Sequence, residues 1–473
     1  MSTDKTNPPG ANDSQTLRQF DQQHVWHHLT QHKALEQNPA LMIRSGNGMM
    51  VTDTDGNQYL DATSGGVWTV NLGYGRQQIV DAIAKQLSDL PYFAGALGNE
   101  PAAKFAKVLA DLLPNLSRIY YASSGSEANE KAYKIVRQLS QSSSRQGKRK
   151  IVYRDRDYHG TTIAALSSSG HNERKAQYGP FLDDFVEIPH CCCYRCPFNK
   201  TYPSCNIECA QAFESEILKQ GPDTVGSVVL ESITAGGGVI VPVPEYLPMI
   251  ADICKQYGVL LHIDEVVTGM GRTGTWFGFE HFNVFPDMIT LAKGLAGGYA
   301  AISVLATTET IFEAFKTDTN DPLNYFRDIS TFGGCTAGPA AALANIDIIQ
   351  TENLLNNAKI MGDYFIQQLR GLAEKHPCIG DIRGKGLFIG IELVDDRKTK
   401  HPVDEARMTR VFLHCLQHGV MIGRSNRSVA GLNNVLLLSP ALICDKAKAD
   451  DIITAIDAAL TATFKQTVFK QTV

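Results

Sequence analysis

The sequence predicts an α/β protein: a large domain with a mostly parallel central sheet, beside a smaller α/β domain built from both termini. Three observations carry that expectation. Short apolar runs at 225–233 (VGSVVLESI), 259–269 (VLLHIDEVVTG) and 286–294 (PDMITLAKG) end in charge or glycine, as buried strands of parallel sheets do. A helical pattern, EYLPMIADICKQYG at 245–258, connects two of them. The chain has 473 residues and 51.7 kDa, enough for more than one folding unit.

Residues 1–16 are polar, lack an apolar signal core and read as a disordered tail. Residues 17–75 are assigned to the small domain. Within them, 19–37 is a His-rich helix candidate, and 48–65 reads as strand, Asp55-Gly56 turn and strand. A Gly- and aromatic-rich loop follows at 65–75 (GGVWTVNLGYG). It could be a plain connection or a place where backbone approaches a ligand.

The large domain is expected over 76–335. It opens with an amphipathic helix at 77–90, which stops before Pro91. RIYYA (118–122) and KIVYR (150–154) read as strands, and ANEKAYKIVRQL (128–139) as a helix. Residues 336–463 are assigned to the C-terminal part of the small domain. There the pattern gives a long helix at 343–376, a strand at 383–394 and a helix at 404–419. Strands at 420–424 and 434–442 and a last helix at 445–463 follow. The FKQTV pentapeptide repeated over 464–473 reads as a tail.

Charged residues make up 20% and hydrophobic residues 43%, with a net charge of −5 and no basic cluster carrying aromatics. That balance argues against nucleic acid as a partner. No apolar run is long enough to span a membrane. The cytoplasm is the default compartment.

The chemistry gathers at the ends of the three apolar runs, where Glu231, Asp264 and Lys293 stand. Ligands of open α/β sheets bind outside the carboxyl ends of the strands. Taken singly, a lysine after a strand is usually solvated, and an Asp-Glu pair is often a helix cap. Together they fit pyridoxal phosphate: a lysine to tether the aldehyde and an acid to hold the ring proton. Gly125 and Ser126, in a Gly/Ser turn feeding a helix, are candidates for the cofactor phosphate, although such a turn is also an ordinary cap. Tyr158, after the 150–154 strand, could stack on a flat ring. Thr331, before paired glycines, could donate to a phosphate.

Six of the eleven cysteines crowd into the 190–210 insertion. Cys193, Cys196, Cys205 and Cys209 resemble zinc-ligand spacing, with His190, Cys191 and Cys192 as spares. Reduced thiols, or disulfides formed on isolation, are the other readings. A catalytic role is not expected there.

In order along the chain, GVWTVNLGYG, ASSGSEANE, YHG, the Glu231 strand, IDEVVTGMGRTG, TLAKG and STFGG resemble the class III, or ω-amino-acid, aminotransferases of fold-type I. The resemblance runs from about Trp26 to Ile453. It implies Lys293 as Schiff-base lysine and proton shuttle, and Asp264 as partner of the pyridine nitrogen. Val266 and Tyr158 would lie on the two ring faces, and Gly125 and Ser126 on the phosphate. Glu231 matches the family's acid near the cofactor. The usual E-P-[IV]-Q reads Glu231-Ser232-Ile233-Thr234 here, a departure that bears on the local hydrogen bonds.

The resemblance also implies a homodimer with shared active sites, in which Thr331 reaches the neighbour's phosphate; whether dimers pair further stays open. Arg427, with Arg424 as competitor, would read the acid group, while Trp68, Tyr92 and Phe93 would wall the substrate pocket. The insertion and ESITAGGGVIVP look most like members that move the amino group of taurine to pyruvate, giving alanine. β-Alanine, other ω-amino acids or simple amines are the alternative donors. A mutase, racemase or decarboxylase on the same fold is a remoter one.

Overall fold

The computed structural model describes residues 13–316, 322–323 and 325–464. Seven strands form the central sheet: β1 (Arg118–Ala122), β2 (Lys150–Arg154), β3 (Phe185–Ile188), β4 (Val225–Glu231), β5 (Leu260–Asp264), β6 (Met288–Leu291) and β7 (Ser303–Thr307). Their spatial order is β1-β7-β6-β5-β4-β2-β3. From β3 to β6 every pairing is parallel, while β7 runs antiparallel to both its neighbours. The expected mostly parallel sheet is therefore present. Strands β3 and β7 had not been picked out from the sequence; each is only four or five residues long.

Every residue of β4 is buried, which explains its unbroken apolar pattern: helices cover both faces of a parallel sheet. The helices Gly125–Leu139 and Tyr246–Tyr257 supply part of that cover. A helix at Glu100–Leu112 had escaped the sequence reading, although Asn99 caps it and Pro101 lies in its first turn.

Two smaller sheets flank the large one. The expected hairpin is Met50–Asp53 paired with Gln58–Asp61, turning at Gly56 with φ +91°. Val420–Met421, from the far end of the chain, adds a parallel strand to Gln58–Asp61. Two residues later the chain changes sheet, and Gly423–Arg424 pairs with Val435–Leu438. The single strand expected at 420–424 is thus two pieces in two sheets.

Four further expectations are corrected. The 19–37 helix is two helices, Ser14–His24 and His32–Gln37, with extended backbone at Val25 and a left-handed residue at Leu29 between them. Because the first begins at Ser14, the last residues of the supposed 1–16 tail are helical; residues 1–12 and 465–473, with nearly all of the repeat, lie outside the described residues. The long 343–376 helix is Ala337–Thr351 followed by Leu354–Lys375, broken where Asn353 takes φ +53°. Periodicity survives such a short break, so the pattern alone could not reveal it. The strand at 383–394 is an antiparallel hairpin, Ile379–Lys385 with Phe388–Asp396, and the C-terminal sheet it belongs to is antiparallel. Its turn residue Gly386 has φ +54°.

Helix Leu354–Lys375 packs directly on that turn. A Cβ at Gly362 would lie 2.3 Å from the Gly386 carbonyl oxygen. Backbone cannot yield as a side chain can. Gly362→Ala is therefore expected to lower thermal stability by the equivalent of about 1–3 kcal/mol, read as a lower melting midpoint by circular dichroism. An unchanged midpoint would show that the hairpin turn moves freely.

Candidate active site

The site forms where β4, β5 and β6 end. Strand register places Glu231 beside Asp264, and Asp264 beside Thr290. Three polar side chains thus stand in one row at the carboxyl edge of the sheet. Lys293 follows β6 and opens a short 3-10 turn at φ +46°. A left-handed backbone is uncommon for a side-chain-bearing residue and marks a local constraint. Its Nζ lies 4.8 Å from the centre of the Trp68 ring. Burial pushes the Lys293 amine down to about 8 from an ordinary 10.5, against Glu231 and Asp264, which favour its charge; Arg174 adds to the depression.

Asp264 is 3% exposed. Burial alone would drive its carboxyl up, yet hydrogen bonds from His159, Asn129 and the Val266 N–H hold it below the usual carboxylate range. His159 Nδ1 donates to Oδ2 at 2.9 Å, Asn129 Nδ2 to the same oxygen at 2.9 Å, and Val266 N to Oδ1 at 3.0 Å. Asn129 is itself fixed: its Nδ2 also donates to the His159 carbonyl at 2.7 Å, and its Oδ1 accepts from Thr290 Oγ1 at 2.7 Å.

Glu231 behaves oppositely. Burial, with the nearby Asp157 and Asp264 carboxylates, pushes its carboxyl well above the ordinary range. Its Oε2 accepts from the N–H groups of Tyr158 at 3.2 Å and Ala235 at 3.1 Å. Beneath it, fully buried Arg154 donates to Asp157 at 2.9 Å, to the Glu231 carbonyl at 2.7 Å and to Thr234 Oγ1 at 2.9 Å. Thr234 then donates to Asp157 at 2.6 Å. The departure from the family pattern at Thr234 therefore carries its own closed network.

The helix Gly125–Leu139 begins with a reciprocal cap. Ser124 Oγ accepts from Glu127 N at 3.2 Å, and Glu127 Oε2 accepts from Ser123 N at 2.9 Å and Ser123 Oγ at 2.7 Å. The positive end of the helix dipole lies at Gly125 and Ser126. Space there is tight. A Cβ at Gly125 would meet Val266 Cγ2 at 2.9 Å, and one at Gly160 (φ +138°) would meet Ser126 Oγ at 2.3 Å. The glycine loop is clamped by Asp61, whose oxygens accept from Thr63 N at 2.8 Å, Gly65 N at 2.7 Å and the Tyr74 hydroxyl at 2.8 Å. That clamp sets Trp68, at φ +64°, against Lys293.

The structure thus brings Gly125, Ser126, Tyr158, Glu231, Asp264, Val266, Lys293 and Trp68 together. Thr331, Tyr92 and Phe93 form a second group near β1: the turn Thr331–Gly334 pairs with the segment around Tyr92, through Phe93 N to Gly334 O at 3.0 Å. All three are exposed. Arg427 is turned to carboxylates, Glu405 at 2.5 Å and Glu173 at 3.5 Å. Arg424 faces the helix Glu405–Gln417, donating to Thr409 Oγ1 at 2.6 Å. Cys193, Cys196, Cys205 and Cys209 are free thiols, as are the other cysteines. Among the described residues no three His, Cys, Asp or Glu side chains group as a metal site would require.

Sequence reasoning missed His159, Asn129, Asp157, Arg154 and Arg174. Only Asn129 carried a signal: it lies one helical turn after Gly125, on the same face.

Comparisons with known proteins give the family. The family model described as aminotransferase class-III matches residues 32–460. The taurine–pyruvate aminotransferase of Rhodobacter capsulatus is 54% identical over 96% of this chain and 98% of its own length. The hypotaurine/taurine–pyruvate aminotransferase of Paracoccus denitrificans is 53% identical over 96% and 98%. Among solved structures, a Bacillus anthracis aminotransferase superposes with a TM-score of 0.91 at 37% identity, covering 95% of this chain and 98% of that one. The fold and site define an α/β aminotransferase centred on a lysine. The chain belongs to the class III aminotransferase family, whose members use pyridoxal phosphate.

The depressed Lys293 amine has a direct readout. A neutral amine attacks acylating reagents and an ammonium does not, so labelling should rise as pH passes the group's own pKa. In cofactor-free protein, Lys293 is expected to reach half-maximal labelling near pH 8, and exposed lysines only nearer 10.5. Peptide mass mapping over a pH series checks this.

Proposed function

We propose that this chain transfers the amino group of taurine to pyruvate, giving sulfoacetaldehyde and L-alanine, with pyridoxal 5'-phosphate as cofactor. The observation that carries the reading is that Glu231, Asp264 and Lys293 stand together at the carboxyl ends of adjacent strands, with Asp264 held by three hydrogen bonds. The site residues fit the cofactor. Gly125 and Ser126 stand at the positive end of a capped helix, and Gly160 lets the loop after β2 pack directly against Ser126. Gly125 and Ser126 would hold the phosphate, Val266 and Tyr158 the ring faces, and Asp264 the ring nitrogen. When bound, the cofactor supplies an aldehyde that condenses with amines and a protonated ring that takes up an electron pair.

The chain's own residues do the rest. Asp264, kept ionised by its three hydrogen bonds, holds a proton on the ring nitrogen. Lys293 Nζ, neutral above pH about 8, takes the proton from the amino-bearing carbon of the donor. In the return half-reaction it delivers a proton to the corresponding carbon of the acceptor. Glu231, its carboxyl pushed well above the ordinary range beside Asp264, is the one of the two adjacent acids that more readily takes up a proton.

The choice of taurine is supported by relatives that are 53–54% identical over nearly the full length. A broader ω-amine:pyruvate reading has support in a putrescine–pyruvate aminotransferase of Pseudomonas aeruginosa, 30% identical over 90% of this chain and 92% of its own length. A homodimer completes the reading. Leu97, Ile329 and Phe332, 66%, 80% and 67% exposed, form an apolar surface around Thr331 that a second copy would cover. Thr331 would then serve the neighbour's phosphate.

Cofactor-loaded enzyme mixed with taurine, β-alanine and an arylamine separately, without acceptor, tests the donor. The visible absorption is expected to fall at the lowest concentration with taurine and to return on adding pyruvate. An equal or stronger response to β-alanine or the arylamine would overturn the taurine assignment and leave transamination intact.

A further inference from the structure

We propose that Arg174 reads the anionic group of the substrate, the sulfonate or carboxylate remote from the reacting amine. This rests on the aminotransferase reading above and names a specificity residue of that site. A run of contacts joins Arg174 to Lys293. Lys293 Nζ is 4.8 Å from the Trp68 ring. Trp68 Cη2 and His171 Cε1 flank Gly236, where an added Cβ would meet them at 3.8 and 2.8 Å. The His171 and Tyr158 rings are 5.4 Å apart, and the Arg174 guanidinium lies 4.7 Å over Tyr158. Arg174 thus borders the same aromatic wall as the lysine, and its charge reaches Lys293 and helps keep that amine neutral.

What sets Arg174 apart is its choice of partners. Its Nε donates to the Arg427 carbonyl at 3.2 Å and its Nη2 to the Asn426 carbonyl at 3.3 Å. Among the described residues it makes no ion pair. The adjacent Glu173 is committed to Asn433 at 2.7 Å and Arg427 at 3.5 Å. A guanidinium drawn partly out of water without a carboxylate is costly, and such sites are commonly completed by a ligand. The two backbone carbonyls fix the plane of the fork, which suits sulfonate and carboxylate alike. Arg427, by contrast, already has two glutamates, and Arg424 turns to Thr409. Burial keeps His171 neutral, pushed down to about 3, so it contributes no competing charge.

The test uses cofactor-loaded wild type, Arg174→Gln, Arg174→Lys and Arg427→Gln, with taurine, β-alanine and propylamine, which lacks an anionic group, as donors and pyruvate as acceptor. Single-turnover loss and return of the visible absorption gives half-saturating concentration and limiting rate separately. In Arg174→Gln the half-saturating concentrations of taurine and β-alanine are expected to rise about 10–100-fold, the worth of a charge-assisted contact. Propylamine should stay within about 3-fold, and Arg174→Lys should recover part of the loss. Equal losses for propylamine would make Arg174 a structural residue and overturn the proposal. So would unchanged anion dependence, or an anion-selective loss in Arg427→Gln alone. A wild type that prefers β-alanine contradicts the donor assignment only; an anion-selective loss in Arg174→Gln would still uphold this one.

Discussion

A charged carboxylate held inside the protein at the end of β5 sets the conditions the rest of the site meets. Asp264 is almost wholly buried, and an unpaired buried carboxylate would take up a proton. It stays ionised because three donors reach it from three places: the helix that follows β1, the loop after β2 and the backbone two residues on. Each donor ties one element to the sheet. Thr290 on β6 fixes Asn129, and His159 receives its own backbone support from Ser169 Oγ at 2.9 Å. The acid is thus both the chemical group and the point on which the local packing converges.

The same logic separates the two acids of the site. Glu231 and Asp264 are neighbours in register, so two negative charges there would repel at short range. Asp264 receives hydrogen bonds from His159, Asn129 and a backbone N–H. Among the described residues, Glu231 receives backbone N–H groups alone, and it faces Asp157 as well. The difference in donors, with the burial and charge around each, raises the Glu231 carboxyl and lowers that of Asp264. Arg154 answers the further charge of Asp157 from below, so the electrostatic cost of the cluster is met without exposing it to water.

Much of this was legible in the sequence. The apolar runs ending in Glu231, Asp264 and Lys293 gave the strands and their order of use, because a parallel strand must be apolar on both faces and leaves its chemistry to its end. The Gly/Ser turn at 125–126 carried a helix start and a cap. Side chains that act through space were not legible: His159 and Asn129 look like a loop histidine and a helical amide until the sheet brings them to Asp264. Arg427 was the arginine favoured for the substrate acid, yet its guanidinium is turned to Glu405, and that pairing depends on a fold-level approach of two segments. Short strands β3 and β7, and the break at Asn353, left too little pattern to be seen.

The most direct test of the central claim is the single-turnover rate of cofactor-loaded Asp264→Asn with its amino donor. Asparagine keeps the shape and can still accept from Val266 N–H, but it cannot carry the charge that holds a ring proton. The rate is expected to fall by at least about 10²-fold, with cofactor still bound by its visible absorption. A rate within a few-fold of wild type would mean the buried charge does not drive the chemistry, and would contradict the account.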